Sequence, residues 1–185
     1  MLNKQFMSGM KTLVLVLGIT ALSACASSGR FVTLEEPLKA DGKNAVIIFF
    51  GRSFTKAQVW DGEKPIGTFD GTPISTMNCL FWKTTLGAHT FVGRSTNYVH
   101  KKMTLQANKT YYIQVIDLPS PVPFTNLIAI KEVTKQEYDE AMDQWKKLGN
   151  KLLLMEYDNK WREEFLAEDN GKWLKDIKDY LKTAK

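Results

Sequence analysis

The sequence predicts a mainly β protein, an antiparallel β-sandwich of about seven or eight strands followed by C-terminal α-helices, and so an α+β fold overall. Short segments rich in aromatic and β-branched residues recur between residues 44 and 133, with turn signals roughly every 8–12 residues. From Thr134 onward the apolar residues recur at steps of three and four, which is the period of a helix. The chain has 185 residues, 44% hydrophobic and 24% charged, which is the composition of an ordinary globular protein.

The first 24 residues have the features of a secretory signal peptide. Lys4 and Lys11 precede an apolar run of 11 residues, Thr12 to Leu22, which as a helix would reach only about 16 Å. That is about half the hydrocarbon core of a bilayer, so the run fits the apolar region of a signal peptide rather than a permanent transmembrane helix. A buried N-terminal helix is the alternative interpretation.

The apolar run ends in Leu22-Ser23-Ala24-Cys25, which resembles the lipobox of bacterial lipoproteins. The resemblance implies cleavage before Cys25 and acylation of its thiol and amine with diacylglycerol and a fatty acid such as palmitate. Two or three acyl chains would anchor the mature protein stably to a membrane. Ala26 follows the cysteine, which implies sorting to the outer membrane of the bacterial cell envelope, facing the periplasm. An ordinary cleaved signal peptide without lipid is the alternative.

The rest of the chain divides into a tether, a β domain and a helical extension. Residues 25–43 are predicted to be the lipidated cysteine and tether, residues 44–133 the β-sandwich and residues 134–185 the helical extension. Asp61-Gly62 predicts a hairpin turn, with Pro65 at the start or edge of the next strand. The predicted strands are 44–50, 57–60, 66–69, 76–82, 89–92, 101–105, 110–116 and 127–133.

The helical part begins at Thr134-Lys135-Gln136-Glu137, which matches a capping box. Asn170-Gly171 predicts a stop between two helices, whereas the pattern leaves open whether Gly149-Asn150 breaks the first one. We expect the apolar stripe, with Trp145 and Trp161, to pack on an outer sheet face or on a partner. The stripe consists of Tyr138, Met142, Trp145, Leu148, Leu152, Met155, Trp161 and Phe165, followed by Trp173, Ile177, Tyr180 and Leu181.

Residues 45–115 resemble a family of small bacterial lipoproteins of unknown function, whose domain is similar to the PEGA and carboxypeptidase-regulatory β-sandwiches. The resemblance rests on four segments: 45–50, 59–67 with its Asp-Gly turn, 86–91 and 105–112. Leu86 stands where the family has proline, and Asn108 stands where it has glycine. Asparagine tolerates the left-handed conformation that the glycine would adopt, so the turn should survive. These motifs lie at turns, so they indicate a fold and do not indicate a catalytic or binding function.

The residue types that usually carry chemistry are scarce, with two cysteines and two histidines in the chain. Cys79 lies in an apolar strand, where a buried and inert thiol is expected, with a reactive or intermolecular thiol as the alternative. His89 is expected to pair locally at a strand entrance, and His100 lies beside two lysines that would oppose a metal cation. We therefore predict no catalytic, cofactor-binding or metal residues and no cofactor, and Cys25 is the one predicted site, for lipidation.

The leading functional hypothesis is a lipid-anchored envelope protein without enzymatic activity, an interaction or structural module. Its expected partners are membrane lipid through Cys25 and an envelope protein through the C-terminal helices. Nucleic acid is not expected, because an exported chain would not meet it. The alternative is a lipoprotein that binds a small ligand or glycan through exposed aromatic residues, for which the sequence offers Trp60, Phe81, Trp82, Tyr111 and Tyr112.

Overall fold

A computed structural model of the chain describes residues 31–51, 56–69, 76–122, 125 and 127–184. The predicted signal peptide, the lipobox and Cys25 lie outside these residues. The described residues contain ten strands and three helices, which confirms the mainly β, α+β class. In chain order these are β1 (Phe31–Thr33), β2 (Asn44–Gly51), β3 (Ala57–Asp61), β4 (Lys64–Phe69), β5 (Thr76–Thr85), β6 (Gly87–Arg94), β7 (Tyr98–Leu105), β8 (Thr110–Leu118), β9 (Leu127–Val133), α1 (Lys135–Lys147), β10 (Lys151–Tyr157), α2 (Asn159–Glu168) and α3 (Lys172–Thr183).

The strands form two sheets. Sheet A has the order β1-β10-β5-β2-β8-β9, and sheet B has the order β4-β3-β6-β7. Most of the described strand pairs are antiparallel, whereas β10 pairs with β5 and β2 pairs with β8 in parallel. The eight strands predicted from the sequence correspond to β2–β9, and β1 and β10 add to them.

The core has two layers, one on each face of sheet A. Strand β2 is therefore buried on both faces, as its continuous apolar run predicts. Ala45, Ile47 and Phe49 face sheet B and join the larger apolar cluster. The alternate residues Val46, Ile48 and Phe50 belong to a second cluster, in which α1 covers the outer face of sheet A with Met142 and Trp145. Helix α1 is therefore part of the packed fold.

Helices α2 and α3 cover the outer face of sheet B. Trp60 points to that face, and its ring lies 5.9 Å from the ring of Phe165 on α2. On α3, the ring of Tyr180 stacks on Tyr98 of β7 at 5.1 Å, and Ile177 is fully buried. In the described residues the apolar stripe of the helices thus packs on the sheets, as one of the two expectations has it, except at Leu148, which is 72% exposed.

The prediction of helix for residues 151–157 is wrong, because they form β10, which lies between β1 and β5 in sheet A. Helix α1 ends at Lys147, and Gly149 adopts a left-handed conformation with φ of +71° that turns the chain away. Beyond it Met155 faces the core between the sheets, while Leu152 and Leu154 face α1. The side chains therefore alternate with the period of a strand. Likewise β1 lies within the predicted tether and pairs with β10.

The predicted caps and turns are confirmed. Thr134 and Glu137 form a complete capping box at the start of α1. Gly62 and Asn108 both have positive φ in the turns that the sequence indicated, and Asn170 and Gly171 do so between α2 and α3. Among the described helices, none has the length and apolar character needed to cross a membrane.

Candidate functional site

A polar cluster closes one end of the core between the two sheets. The Asp61 carboxylate, at the end of β3, accepts hydrogen bonds from Trp82 Nε1 at 3.0 Å and Thr84 Oγ1 at 3.3 Å, both on sheet A. It also lies 2.8 Å from His89 Nδ1 on sheet B. Because the two sheets share one carboxylate, this cluster fixes their relative position at this end.

His89 is held at both of its ring nitrogens. Nδ1 faces the Asp61 carboxylate, and Nε2 lies 3.0 Å from the backbone carbonyl oxygen of Thr85. The ring also stacks on Phe91 at 5.8 Å with an interplanar angle of 9°. Both ring nitrogens thus have hydrogen-bond partners within the protein. The local pairing of His89 expected at a strand entrance is confirmed by its contact with Thr85.

An open cleft of about 490 Å³ lies beside this cluster. One wall is the hairpin that joins β3 to β4, with Asp61 and Lys64, and the other is the beginning of α2, with Arg162 and Glu163. Pro65 and Leu166 give the cleft some apolar surface. The cleft therefore combines charges of both signs with room for a small molecule.

Arg162 is the most unusual residue of the cleft, because its side chain is charged and the residue is only 8% exposed. Nε donates to the carbonyl oxygen of Pro65 at 3.1 Å, and Nη1 donates to Oδ1 of Asn159 at 2.9 Å. In the described part of the chain its hydrogen bonds therefore go to neutral acceptors. Burial lowers the pKa of the guanidinium, while the charges of Glu156 and Asp158 act against that shift.

Two cations share the indole ring of Trp82. The guanidinium carbon of Arg162 lies 4.7 Å from the ring centroid, and Nζ of Lys64 also lies 4.7 Å from it. The electron-rich face of tryptophan attracts cations, and the Asp61 carboxylate at Trp82 Nε1 adds to the negative potential. The ring and this carboxylate together hold two positive charges at the cleft.

The structure places the five aromatic residues considered for ligand binding mainly in packing roles. Trp60, Phe81 and Trp82 are buried. Phe81 faces α1 and Trp82 faces the core between the sheets, as alternation predicts. Tyr111 and Tyr112 are half-buried, and the Tyr112 ring packs on Tyr138 of α1 at 4.6 Å.

Cys79 is buried under α1, which confirms the expected burial. Its Sγ lies 3.8 Å from Sδ of Met142, and burial raises the pKa of the thiol to about 11. His100 pairs through Nδ1 with the hydroxyl of Tyr180 at 2.8 Å and so helps to dock α3. Within the described ranges, no three His, Cys, Asp or Glu side chains form a group that could hold a metal ion.

Sequence reasoning missed Lys64 and Arg162 as candidate site residues. Lys64 follows the Asp61-Gly62 turn at the start of a strand, where a lysine is ordinary, and Arg162 stands in a helix rich in charged residues. The positions of Trp82 and Asp61 were visible in the sequence, but their meeting across the two sheets was not. Only the burial of Arg162 separates it from a solvated surface charge, and no spacing in the sequence signals that burial.

Comparison of the chain with protein-family models, with curated proteins and with solved structures finds no match. The resemblance of residues 45–115 to PEGA-like lipoproteins accordingly stays a prediction.

Proposed function

We propose that the protein is a lipid-anchored component of the bacterial envelope, without enzymatic activity, that acts as an interaction or structural module. The anchoring is supported by the motif Leu22-Ser23-Ala24-Cys25, which follows an apolar run too short to span a bilayer. Cys25 stands six positions before Phe31, where β1 begins. Sorting to the outer membrane, facing the periplasm, belongs to the same proposal and is supported by Ala26.

The contacts of the chain's reactive residues support a role other than catalysis. His89 is bonded at both nitrogens, and Asp61 is occupied by three donors from both sheets. The Cys79 thiol is buried, and its pKa is raised to about 11, so little thiolate forms near neutral pH. Each of these groups already has a structural role.

The packing of the helices indicates which of their surfaces would meet a partner. Apart from Leu148, which is 72% exposed, the apolar stripe packs on the sheets, so the outward helix surfaces are mainly the charged faces. On α3 this face carries Lys175, Asp179 and Lys182, and on α1 it carries Lys135 and Asp139. Contact with an envelope protein through these helices would therefore be polar and sensitive to salt.

A pair of cysteine variants tests the anchoring. Cys25→Ser should release the protein from membranes washed with alkaline carbonate and abolish incorporation of labelled palmitate. Cys79→Ser is the matched control and should stay anchored and labelled, because that thiol is buried under α1. Firm membrane attachment of the Cys25→Ser variant after the wash would contradict the anchoring.

Cross-linking in intact cells tests the interaction module. The tagged protein would be purified from solubilised envelopes after cross-linking, with Cys25→Ser as the control. A stoichiometric partner that is lost in the control would support a module whose anchor sets the encounter. Absence of any partner above background would favour the second candidate instead.

That second candidate is a small-ligand binder, and the cleft beside Trp82 is the observation that favours it. The cleft has a volume of about 490 Å³ and presents two cations on one indole ring. Tryptophan fluorescence should change on binding, because Trp82 contacts both cations. A flat titration against envelope glycans and small anions would count against this candidate.

A further inference from the structure

We propose that the cleft beside Trp82 is a phosphate-binding site, with Lys64 and Arg162 as its cationic ligands. The ligand class is a phosphate ester, either the phosphate of a lipid headgroup or that of a soluble metabolite. The proposal gives a chemical identity to the ligand of the second candidate function above, and binding can be measured whether or not Cys25 is acylated.

Arg162 is a buried charge that forms no salt bridge in the described part of the chain, and the carboxylates of Glu156 and Asp158 act on it without a hydrogen bond. Of its nitrogens, Nε and Nη1 donate to Pro65 and Asn159, and Nη2 makes no hydrogen bond in the described part of the chain. Nη2 is also absent from the fully buried unpaired atoms, so it is not sealed from solvent. A desolvated guanidinium is stabilised most by an oxyanion, and its remaining donors match the geometry of a phosphate.

Lys64 places a second cation at the same ring. Its Nζ lies as close to the Trp82 centroid as the Arg162 guanidinium, at 4.7 Å in both cases. Two cations held near one ring repel each other, and an anion placed beside both of them removes that repulsion. A phosphate monoester carries up to two negative charges and a lipid phosphodiester carries one, and both offer several oxygen acceptors to two cations at once. Pro65 and Leu166 add apolar surface for the organic part of an ester.

Among the carboxylates that line the cleft, Glu163 is the one whose charge would oppose a bound anion. Asp61 is occupied by His89, Trp82 and Thr84, and Glu63 pairs with Lys178 of α3 at 3.2 Å. Glu163 lines the same cleft without such an ion pair in the described part of the chain. An anion would be repelled by Glu163 in particular, so removing this charge should strengthen binding.

Isothermal titration of the full chain, purified in dodecyl maltoside, tests the site with two probes. Inorganic phosphate represents a soluble source, and dihexanoylphosphatidylglycerol represents a lipid headgroup. We expect saturable binding of at least one probe, weakened about tenfold by Lys64→Met and strengthened about threefold by Glu163→Gln. Both side chains are exposed, so these variants should fold, which circular dichroism would check.

Lys109→Met is the matched control, because it removes the same charge from an exposed residue that does not line the cleft. Binding of phosphatidylglycerol alone would identify a lipid headgroup as the ligand, and binding of inorganic phosphate alone would identify a soluble ester. Saturation by neither probe up to about 10 mM would overturn the proposal, as would equal losses in Lys64→Met and Lys109→Met. None of these outcomes depends on the carbonate wash, so failure of the anchoring would be seen separately.

Discussion

Replacing Gly67 with alanine tests the position of strand β10, which the sequence pattern did not reveal. Gly67 lies in β4 directly under the ring of Tyr157, the last residue of β10. A Cβ at position 67 would lie 2.6 Å from Cε2 of Tyr157 and 2.8 Å from Cδ2 of Leu80. Ordinary contacts of a Cβ begin at 3.4 Å, so the tyrosine ring would have to move by several tenths of an ångström.

The ring of Tyr157 has little freedom to move. Its hydroxyl donates to the carbonyl oxygen of Thr68 at 3.0 Å, and its ring packs against Trp161 at 4.2 Å. Forcing an extra carbon into such a well-packed place costs about 1–3 kcal/mol of unfolding free energy. For a domain of this size each kcal/mol corresponds to a fall in Tm of about 2–4 °C. Urea denaturation followed by tryptophan fluorescence would measure the loss.

Gly42→Ala is the matched control, because nothing lies within 4 Å of the added Cβ and its φ is not in the left-handed region. It should leave stability unchanged or raise it by about 0.4–1 kcal/mol. In a background that carries Tyr157→Ala, the Gly67→Ala change should cost less, with a coupling energy of about 0.5–3 kcal/mol. If the two changes were additive within about 0.5 kcal/mol, Tyr157 would not lie over Gly67 and the placement of β10 would be refuted.

Three further predictions follow from the caps, the buried thiol and an exposed carboxylate. Thr134→Ala removes half of the capping box at the start of α1 and should lower the free energy of unfolding by about 0.5–2 kcal/mol in urea denaturation. Burial raises the pKa of Cys79 to about 11, so maleimide should label this thiol at pH 7–8 only after denaturant is added, and rapid native labelling would contradict its burial. A hydrogen bond from Lys83, the largest cause, and backbone N–H donors hold the pKa of Asp41 below its usual 3.8. The stability that Asp41 contributes is therefore present above pH 3.8 and lost as the pH falls below it, so wild type and Asp41→Asn should converge in acid denaturation.

The strands that the sequence predicts are those set by local signals. The Asp61-Gly62 turn and Asn108 each fix a hairpin or a strand entry through the conformation of one or two residues. The run from Asn44 to Gly51 could be recognised because a strand buried on both faces needs no polar side. A turn of this kind can be predicted from its own residues, without knowing which strands pair beside it.

Strand β10 could not be predicted, because its partner strand β5 is distant in the sequence and its own apolar pattern is ambiguous. Leu152, Leu153, Leu154 and Met155 form a continuous apolar run that is compatible with both a helix and a buried strand. The register that decides between them is the parallel pairing with β5, from Lys151 opposite Thr76 onward, which no local spacing encodes. Strand β1 depends on β10 in turn, so it could not be predicted without it.

The position of Arg162 in the candidate site depends on the same strand, β10. Only Asp158 separates the end of β10 from α2, and its carboxylate caps that helix by accepting from the N–H of Trp161 at 2.7 Å. The register of β10 therefore sets where α2 begins and brings Arg162 over the ring of Trp82. A change that shifts β10, such as Gly67→Ala, should displace Arg162 from Trp82 while the Asp61–His89 pair holds the two sheets together. Phosphate binding should then fall further than the loss of stability alone would explain, which would link the position of the strand to the chemistry of the cleft.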